Sequence, residues 1–352
     1  MTETLRIATR GSQLALQQAR IVADALERRR REVELVTVET TGDQLRDELI
    51  HQLGKTGAFV RNLDEKVLDG EVDAAVHSMK DMPTDMPDDL IVAAIPPRAD
   101  ADDVLVTPGG STLGELPDGA IVGTSSLRRK AQLLAARPDL EVEPIRGNVD
   151  TRVQKLLAST LQADHETRMD AEESDTTEFE QSVDEWFDSL SELERQALGR
   201  EVDTAYDAIV LAAAGLERID LLEEARIHRF GATFVPAPGQ GAIAVTALDG
   251  SLADHIHDVV DHPRSRVETT VERTILSTLG GGCVAPVGIG AVLQGEYVRT
   301  RVRVLSQDGT EEISTTRDLP VERHPDAARE LAEDLAEDGA RDLIQAARRD
   351  GT

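Results

Sequence analysis

The first third of the chain alternates short apolar runs with stretches of helical period. LRIATR predicts a strand, and Ser12 is placed to cap a helix whose apolar face is Leu14, Leu16, Ala19, Val22, Ala23 and Leu26. EVELVTVET predicts a second strand, FVRNLDEKVLDG a short helix ending at Gly70, and VDAAVHS a third strand. TGDQLRDELIHQLGKTGA is rich in turn formers and charge and reads as a mobile loop. Alternation at this spacing favours parallel βαβ units. A second run of the same style opens near DDVLVTPGG: AIVGTSS predicts a strand, SLRRKAQLLAAR a helix, LEVEPIRG a strand, and DAIVLAAAGLERI a strand entering a helix. Strand, Ser/Thr and helix therefore follow one another twice, at Ile7–Ser12 and Ile121–Ser126, without a repeat in the sequence itself.

Two segments break this pattern. From Asp164 to Asp203 there are 15 acidic and three basic residues, a local net of −12, yet Val183, Trp186, Phe187, Leu190, Leu193, Ala197 and Leu198 recur at helical spacing. This predicts an acidic surface insertion, about 161–204, holding one amphipathic helix. The last ninety residues differ in style. VETTVERTILSTL predicts a helix and GGGCVAPVGIG a glycine-rich loop. EYVRTRVRVLSQDGTEEISTTRDL alternates around Asp308–Gly309 as an antiparallel hairpin, and PDAARELAEDLAEDGARDLIQAARR predicts a closing helix. This end reads as a separate, small α+β domain.

Composition narrows the function. The 352 residues carry a formal charge of −29, with 67 acidic side chains against 38 basic ones, of which only five are lysine. A chain so acidic repels polyanions, which excludes a non-specific nucleic-acid or anionic-membrane binder. The acidic, lysine-poor and aromatic-poor balance suits a high-salt cytoplasm, where self-repulsion is screened within a few ångströms; a halophilic source is expected. Cys283 is the single cysteine, so neither an intramolecular disulfide nor a multi-cysteine metal site is possible. MTETLRIATR lacks an apolar signal region, and the longest apolar run, Ala208 to Leu216, falls well short of the roughly 18 residues of a membrane span. A soluble cytoplasmic protein with no membrane partner is expected.

The candidate chemistry sits at strand ends. Arg10 follows LRIAT, Arg128 and Arg129 follow VGTSS, and Arg146 follows EPI, with Arg152 and Arg218 at nearby helix ends. Arginine holds carboxylates with a planar two-donor fork that keeps its charge, and open α/β sheets bind ligands beyond the carboxyl ends of their strands. Helix starts at Ser12 and at Ser125 and Ser126 add backbone N–H donors for anions. The clustering points to a cleft for a ligand with several carboxylates or phosphates, although in so acidic a chain any single arginine is ordinarily a surface ion-pair partner. Lys80 and Asp81 in VHSMKDMP lie at another strand end. A Lys–Asp pair is usually a surface turn, but a carboxylate inside an anion cleft is electrostatically odd unless it meets a cation or an N–H donor, which makes Asp81 the candidate catalytic residue. Cys283 follows three glycines and reads as a reactive or modified thiol, against the commoner small buried hydrophobe. His255, His257 and His262 read as surface residues, so no metal site is expected; no G-x-G-x-x-G or P-loop motif is present.

RIATRGSQLAL, VDAAVHSMKDMP, GTSSLRRKAQL, IRGNVDTR, DAIVLAAAGLERI, PAPGQGAIAV and GGGCVAPVG resemble, in order, the motifs of the porphobilinogen deaminase (hydroxymethylbilane synthase) family. The resemblance covers nearly the whole chain except the acidic insertion and the C-terminal helix. It implies an α/β fold of two domains like those of periplasmic binding proteins, 1–99 with 233–262 and 100–232, plus a C-terminal α+β domain, 263–352. It implies that four porphobilinogen units are joined head to tail on a covalent dipyrromethane cofactor, with release of ammonia and then of hydroxymethylbilane, by a monomer with no nucleic-acid partner. Carried over position by position, Cys283 would hold the cofactor through a thioether and Asp81 would be the catalytic carboxylate. Arg10, Ser12, Lys80, Thr124, Ser125, Ser126, Arg128, Arg129, Arg146, Arg152 and Arg218 would bind the acetate and propionate groups of cofactor and substrate. Gln240 and Gly241, in a segment crossing between domains, would line the same cleft. The family loop usually reads GGKGLF, whereas this chain has GKTGAF, with Lys55 displaced by one position and Thr56 in its place. A non-catalytic anion receptor of the same architecture stays open as the alternative; it would use the arginines but leave Asp81 and Cys283 without roles.

Overall fold

The computed structural model describes residues 4–29, 31–38, 58–174, 179–223, 225–281 and 285–350. Of the expected mobile loop, 41–58, only Ala58 is described, and it starts a helix; Lys55, Thr56 and Cys283, the expected cofactor attachment point, lie outside the described residues.

The first unit begins with β1 (Leu5–Arg10), α1 (Gln13–Glu27), β2 (Val33–Val38), α2 (Ala58–Leu68), β3 (Ala74–Ser78) and β4 (Leu90–Ala94). The chain then crosses to a second unit containing β5 (Asp103–Val106), β6 (Ile121–Gly123), α3 (Leu127–Ala136), β7 (Glu141–Glu143) and α4 (Val149–Glu173). Two short helices, α5 (Val183–Ser189) and α6 (Glu192–Leu198), precede β8 (Ala208–Ala212), α7 (Ala213–Arg218) and β9 (Ile227–Arg229). A second crossover returns to the first unit through β10 (Ile243–Leu248) and α8 (Ser251–Val260).

The two sheets have one topology. Strand order is β2-β1-β3-β10-β4 in the first and β7-β6-β8-β5-β9 in the second. The first three strands of each are parallel, and the fourth runs antiparallel to both its neighbours. The sequence pattern predicts only the parallel part. The antiparallel strand of each sheet is the one that follows a crossover, so it enters from the opposite end, and no local periodicity reveals that. Each sheet is covered on both faces: Ile7, Val22, Leu26 and Ile256 pack on one side of the first, Ala8, Leu63 and Val67 on the other.

The acidic segment differs from expectation. Its apolar positions fall on two helices, because Leu190 is extended (ψ 141°) and Ser191 starts a new helix with a capping box to Glu194, as Ser182 does with Glu185. The pair packs on α4: Trp186 is buried beneath Arg168, and Gln162 donates to the carbonyls of Leu198 and Arg200 at 3.1 and 2.7 Å.

The C-terminal part holds α9 (Pro263–Thr278), β11 (Val287–Gln294), β12 (Tyr297–Leu305), β13 (Glu312–Pro320), α10 (His324–Glu337) and α11 (Ala340–Asp350). The predicted hairpin is β12–β13, turned at Gly309 (φ +74°). Two features went unread in the sequence. The last four residues of the glycine-rich stretch belong to strand β11, whose Gly288 runs so close to the return crossover that a Cβ would lie 2.6 Å from Val235 O. The closing helix is broken at Gly339, where φ is +101°.

Candidate active site

β3 ends at Ser78 and passes at once into a single 3₁₀ turn, Met79–Asp81. Met79 is buried and anchors the turn, Lys80 is half-buried, and Asp81 is exposed. At the neighbouring strand end Arg10 closes β1, and Ser12 caps α1 by accepting from Ala15 N at 3.3 Å, as the sequence predicts. The second unit repeats the device beyond β6. The Thr124 hydroxyl is buried and accepts from Ser126 N, Ser125 Oγ donates to Ile145 O at 2.8 Å, and Ser126 caps α3. These hydroxyls hold the strand-to-helix turn rigid, while Arg146 and Arg152 follow at the turn into α4 and its first turn.

Arg128 and Arg129, in the first turn of α3, are buried rather than solvated. Arg128 Nη1 donates to Asp103 Oδ2 at 2.6 Å and to Val235 O at 2.8 Å. Arg129 donates to Asp103 Oδ1 through Nε and Nη2 at 3.0 and 2.8 Å, and to Val210 O through Nη1 at 2.9 Å. Burial alone would push the Asp103 carboxyl up, but the two guanidiniums overcome it and hold it far below the usual carboxylate range.

Electrostatics bring the units together. Burial lowers the Lys80 ammonium, Arg129 and Arg128 add to that, and Asp81 and Asp103 oppose it. Arg152 is pushed down to about 10, first by burial and then by Arg129, with Asp81 opposing. Arg129 is lowered by burial and sustained by Asp103 and Asp81. Asp81 from the first unit thus acts directly on Arg129 and Arg152 from the second. Four cations, Lys80, Arg128, Arg129 and Arg152, stand against two carboxylates in a partly desolvated cleft. An excess of cationic side chains of this kind is what an anionic ligand relieves.

The crossovers form the floor. Gly241 (φ +80°) lies where they meet, and a Cβ there would be 2.5 Å from Ala99 O. Gly239 (φ +74°) passes the Met79 side chain almost as tightly, at 2.6 Å, and Lys80 N at 3.2 Å. Arg218 donates to Gly241 O at 2.7 Å, so it braces the return crossover, and burial lowers its pKa. Gln240 Nε2 donates to Ala101 O at 2.6 Å and to Asp103 Oδ1 at 3.0 Å, which fixes the amide orientation and leaves Oε1 a buried acceptor without a donor.

Sequence reasoning missed Asp103. Its one local signal is an acid opening an apolar strand, Asp-Val-Leu-Val, and nothing nearby in the sequence names its partners. It also missed Arg98 and Glu272. The histidines have local roles: His262 caps α9, and His257 Nδ1 lies 3.2 Å from Ala93 O. Among the described residues no group of three or more His, Cys, Asp or Glu is placed to hold a metal.

Two α/β units of matched topology, joined by two crossovers, with Asp81 of one unit and the buried arginines of the other felt by the same groups, define a two-lobed α/β protein. The family model described as porphobilinogen deaminase, dipyromethane cofactor binding domain, matches residues 5–165 and 192–253, and that of the porphobilinogen deaminase C-terminal domain matches 267–338. The "Probable porphobilinogen deaminase" of Halobacterium salinarum is 50% identical, covering 99% of each chain. The porphobilinogen deaminase of Acidothermus cellulolyticus is 38% identical over 99% of this chain and 93% of its own. A periplasmic substrate-binding protein from Coxiella burnetii overlays with a TM-score of 0.37 and 12% identity, over 74% of this chain and 94% of that one. The chain belongs to the porphobilinogen deaminase family, and is thereby an enzyme of tetrapyrrole biosynthesis with a dipyrromethane cofactor-binding domain. The gap in the family match, 166–191, falls within the acidic segment.

Proposed function

We propose that this cleft is where the chain condenses porphobilinogen, with Asp81 as its catalytic carboxylate. The observation that carries the reading is the placement of Asp81, on the turn that ends β3, within electrostatic reach of Arg129 and Arg152 of the second unit, in a chain of this family. Each pyrrole brings two carboxylates, and Lys80, Arg128 and Arg152 supply charge for them. Arg10, Ser12, Thr124, Ser125, Ser126, Arg129, Arg146, Arg218 and Gly241 complete the binding surface. Gln240 Oε1, buried and without a protein donor, suits a pyrrole N–H. These features fit a bound dipyrromethane, which supplies the pyrrole carbon from which the product grows; Cys283, the only thiol, is its attachment point.

Asp81 faces the positive charge that develops on the substrate as the C–N bond breaks and ammonia leaves, and accepts a hydrogen bond from the pyrrole N–H. The cations hold the substrate carboxylates in place, so charge develops beside a fixed carboxylate rather than in water. We read the chain as three domains, 1–99 with 233–262, 100–232 and 263–352, working as a monomer in a high-salt cytoplasm. The −29 charge and the 50% identity to a Halobacterium protein support the salt adaptation. No described helix is long and apolar enough to cross a membrane.

The test is intact mass under denaturing conditions. The purified protein should exceed its sequence mass by two linked pyrroles, and Cys283→Ala should show the bare sequence mass and no activity. An active Cys283→Ala protein overturns the reading.

A further inference from the structure

The reaction as read above leaves a buried charge unused. Asp103 opens β5, its side chain is wholly buried, and the reading above gives it no role. A carboxylate inside an anion-binding cleft weakens the field the ligand feels, so its presence needs a reason that outweighs that loss.

The reason is visible in which guanidinium hydrogens it takes. Arg129 offers its Nε/Nη2 edge to Asp103 Oδ1, and its Nη1 to Val210 O, so its bidentate edge is spent inside the protein. Arg128 is used differently. Both its protein bonds, to Asp103 Oδ2 and Val235 O, come from Nη1, which leaves the Nε/Nη2 edge uncommitted. That edge carries two parallel N–H donors, the arrangement that takes a carboxylate in two bonds at once. Without Asp103, two adjacent guanidiniums would repel and each would settle by its own rotamers. With it, one arginine is locked as a fixed charge and the other presents its fork.

The same carboxylate reaches the crossovers. Gln240 Nε2 bonds both Asp103 and Ala101 O, and Gln132 grips Val235 through its N and O at 2.7 and 3.0 Å. Arg128 therefore hangs from β5 and from the return crossover together.

We propose that Asp103 is a positioning residue for the reaction: it locks Arg129 and orients Arg128 so that the Nε/Nη2 edge of Arg128, and not that of Arg129, binds a pyrrole carboxylate. This rests on the reading of the cleft as the condensation site.

The experiment is a double-mutant cycle on the purified holoenzyme, with the cofactor-loaded fraction counted by intact mass. Asp103→Asn keeps the shape but cannot accept from both arginines. Per loaded enzyme, KM for porphobilinogen should rise on the order of tenfold, with kcat changed much less. Arg128→Lys keeps the charge but loses the fork, and should raise KM similarly. The double variant should be no worse than the more impaired single variant, because Asp103 acts through Arg128. A purely structural Asp103 would lower the loaded fraction and the unfolding midpoint, leave KM of the loaded enzyme at the wild-type value, and add independently to Arg128→Lys; that result overturns the proposal. If Asp103→Asn does not fold, Asp103→Glu, which keeps the charge one methylene away, enters the same cycle with the same criterion. Arg128→Ala separates the parent reading: wild-type KM there sinks the cleft assignment itself, whereas a crippled Arg128→Ala beside an Asp103→Asn enzyme of normal KM sinks only the role of Asp103.

Discussion

Glu272 accepts both terminal nitrogens of Arg98, at 2.9 and 3.0 Å, with its side chain fully buried. Arg98 lies on the outgoing crossover and Glu272 on α9 of the C-terminal part. The same carboxylate accepts from Gly239 N on the return crossover at 2.7 Å and from Ala291 N on β11 at 2.8 Å. Arg98 Nε in turn donates to Gln240 O at 2.8 Å. One buried ion pair thus ties both crossovers to the third sheet.

Glu272→Gln should therefore be strongly destabilising, because it leaves the Arg98 guanidinium buried without its counter-charge. Breaking such a pair costs about 3–5 kcal/mol. Chemical denaturation followed by circular dichroism measures it, and a loss under about 1 kcal/mol, the worth of an exposed pair, would show the junction to be mechanically unimportant.

Asp81→Asn keeps shape and an acceptor but removes the charge. Substrate binding should survive while turnover falls by a factor on the order of 10²–10³. Asp81→Glu moves the charge by a methylene and should retain part of the activity. Steady-state rates on cofactor-loaded enzyme decide it; near-normal turnover for Asp81→Asn removes Asp81 from the chemistry.

Asp103 also makes an acid-stability prediction. Its folded pKa is depressed by Arg128 and Arg129, so its stabilising contribution is present above the unfolded value of about 3.9 and is lost as pH falls through the lower folded value. Asp103→Asn should be less stable than wild type at pH 7, and the gap should narrow below about pH 3.9. A gap independent of pH across that range would mean that Asp103 contributes packing alone.

With a net charge of −29, stability and activity should fall in dilute buffer and recover in molar KCl, as the screening length drops from about 30 Å at 0.01 M to about 3 Å at 1 M. The structure sharpens where to cut the acidic segment. α6 is held to α4 by Gln154 and Gln162, and the family match resumes at 192, so excision of 166–191 spares that packing. The shortened enzyme should keep turnover and show a weaker salt dependence. Equal unfolding midpoints in dilute and molar salt would refute the adaptation.

Much of this protein is written locally. The Ser12 and Ser126 caps, the parallel strands around them, the Asp308–Gly309 hairpin and the ordered run of motifs are all encoded within a few residues, because hydrophobic period, capping and turn chemistry act over that range. Strand ends bearing arginine pointed to an anion-binding site for the same reason. What the sequence could not disclose is what joins distant segments. β5 and β10 run antiparallel because each follows a crossover. The supposed single amphipathic helix is two, because capping at Ser191 outweighed a continuous apolar stripe. The inward lock of Arg129 and the free edge of Arg128 depend on Asp103, some 25 residues away, and the junction of the crossovers with the third sheet depends on Arg98 finding Glu272, 174 residues on. Buried charges choose partners by three-dimensional proximity, since desolvation must be offset wherever a counter-charge lies, and proximity of that kind is decided only by the folded chain.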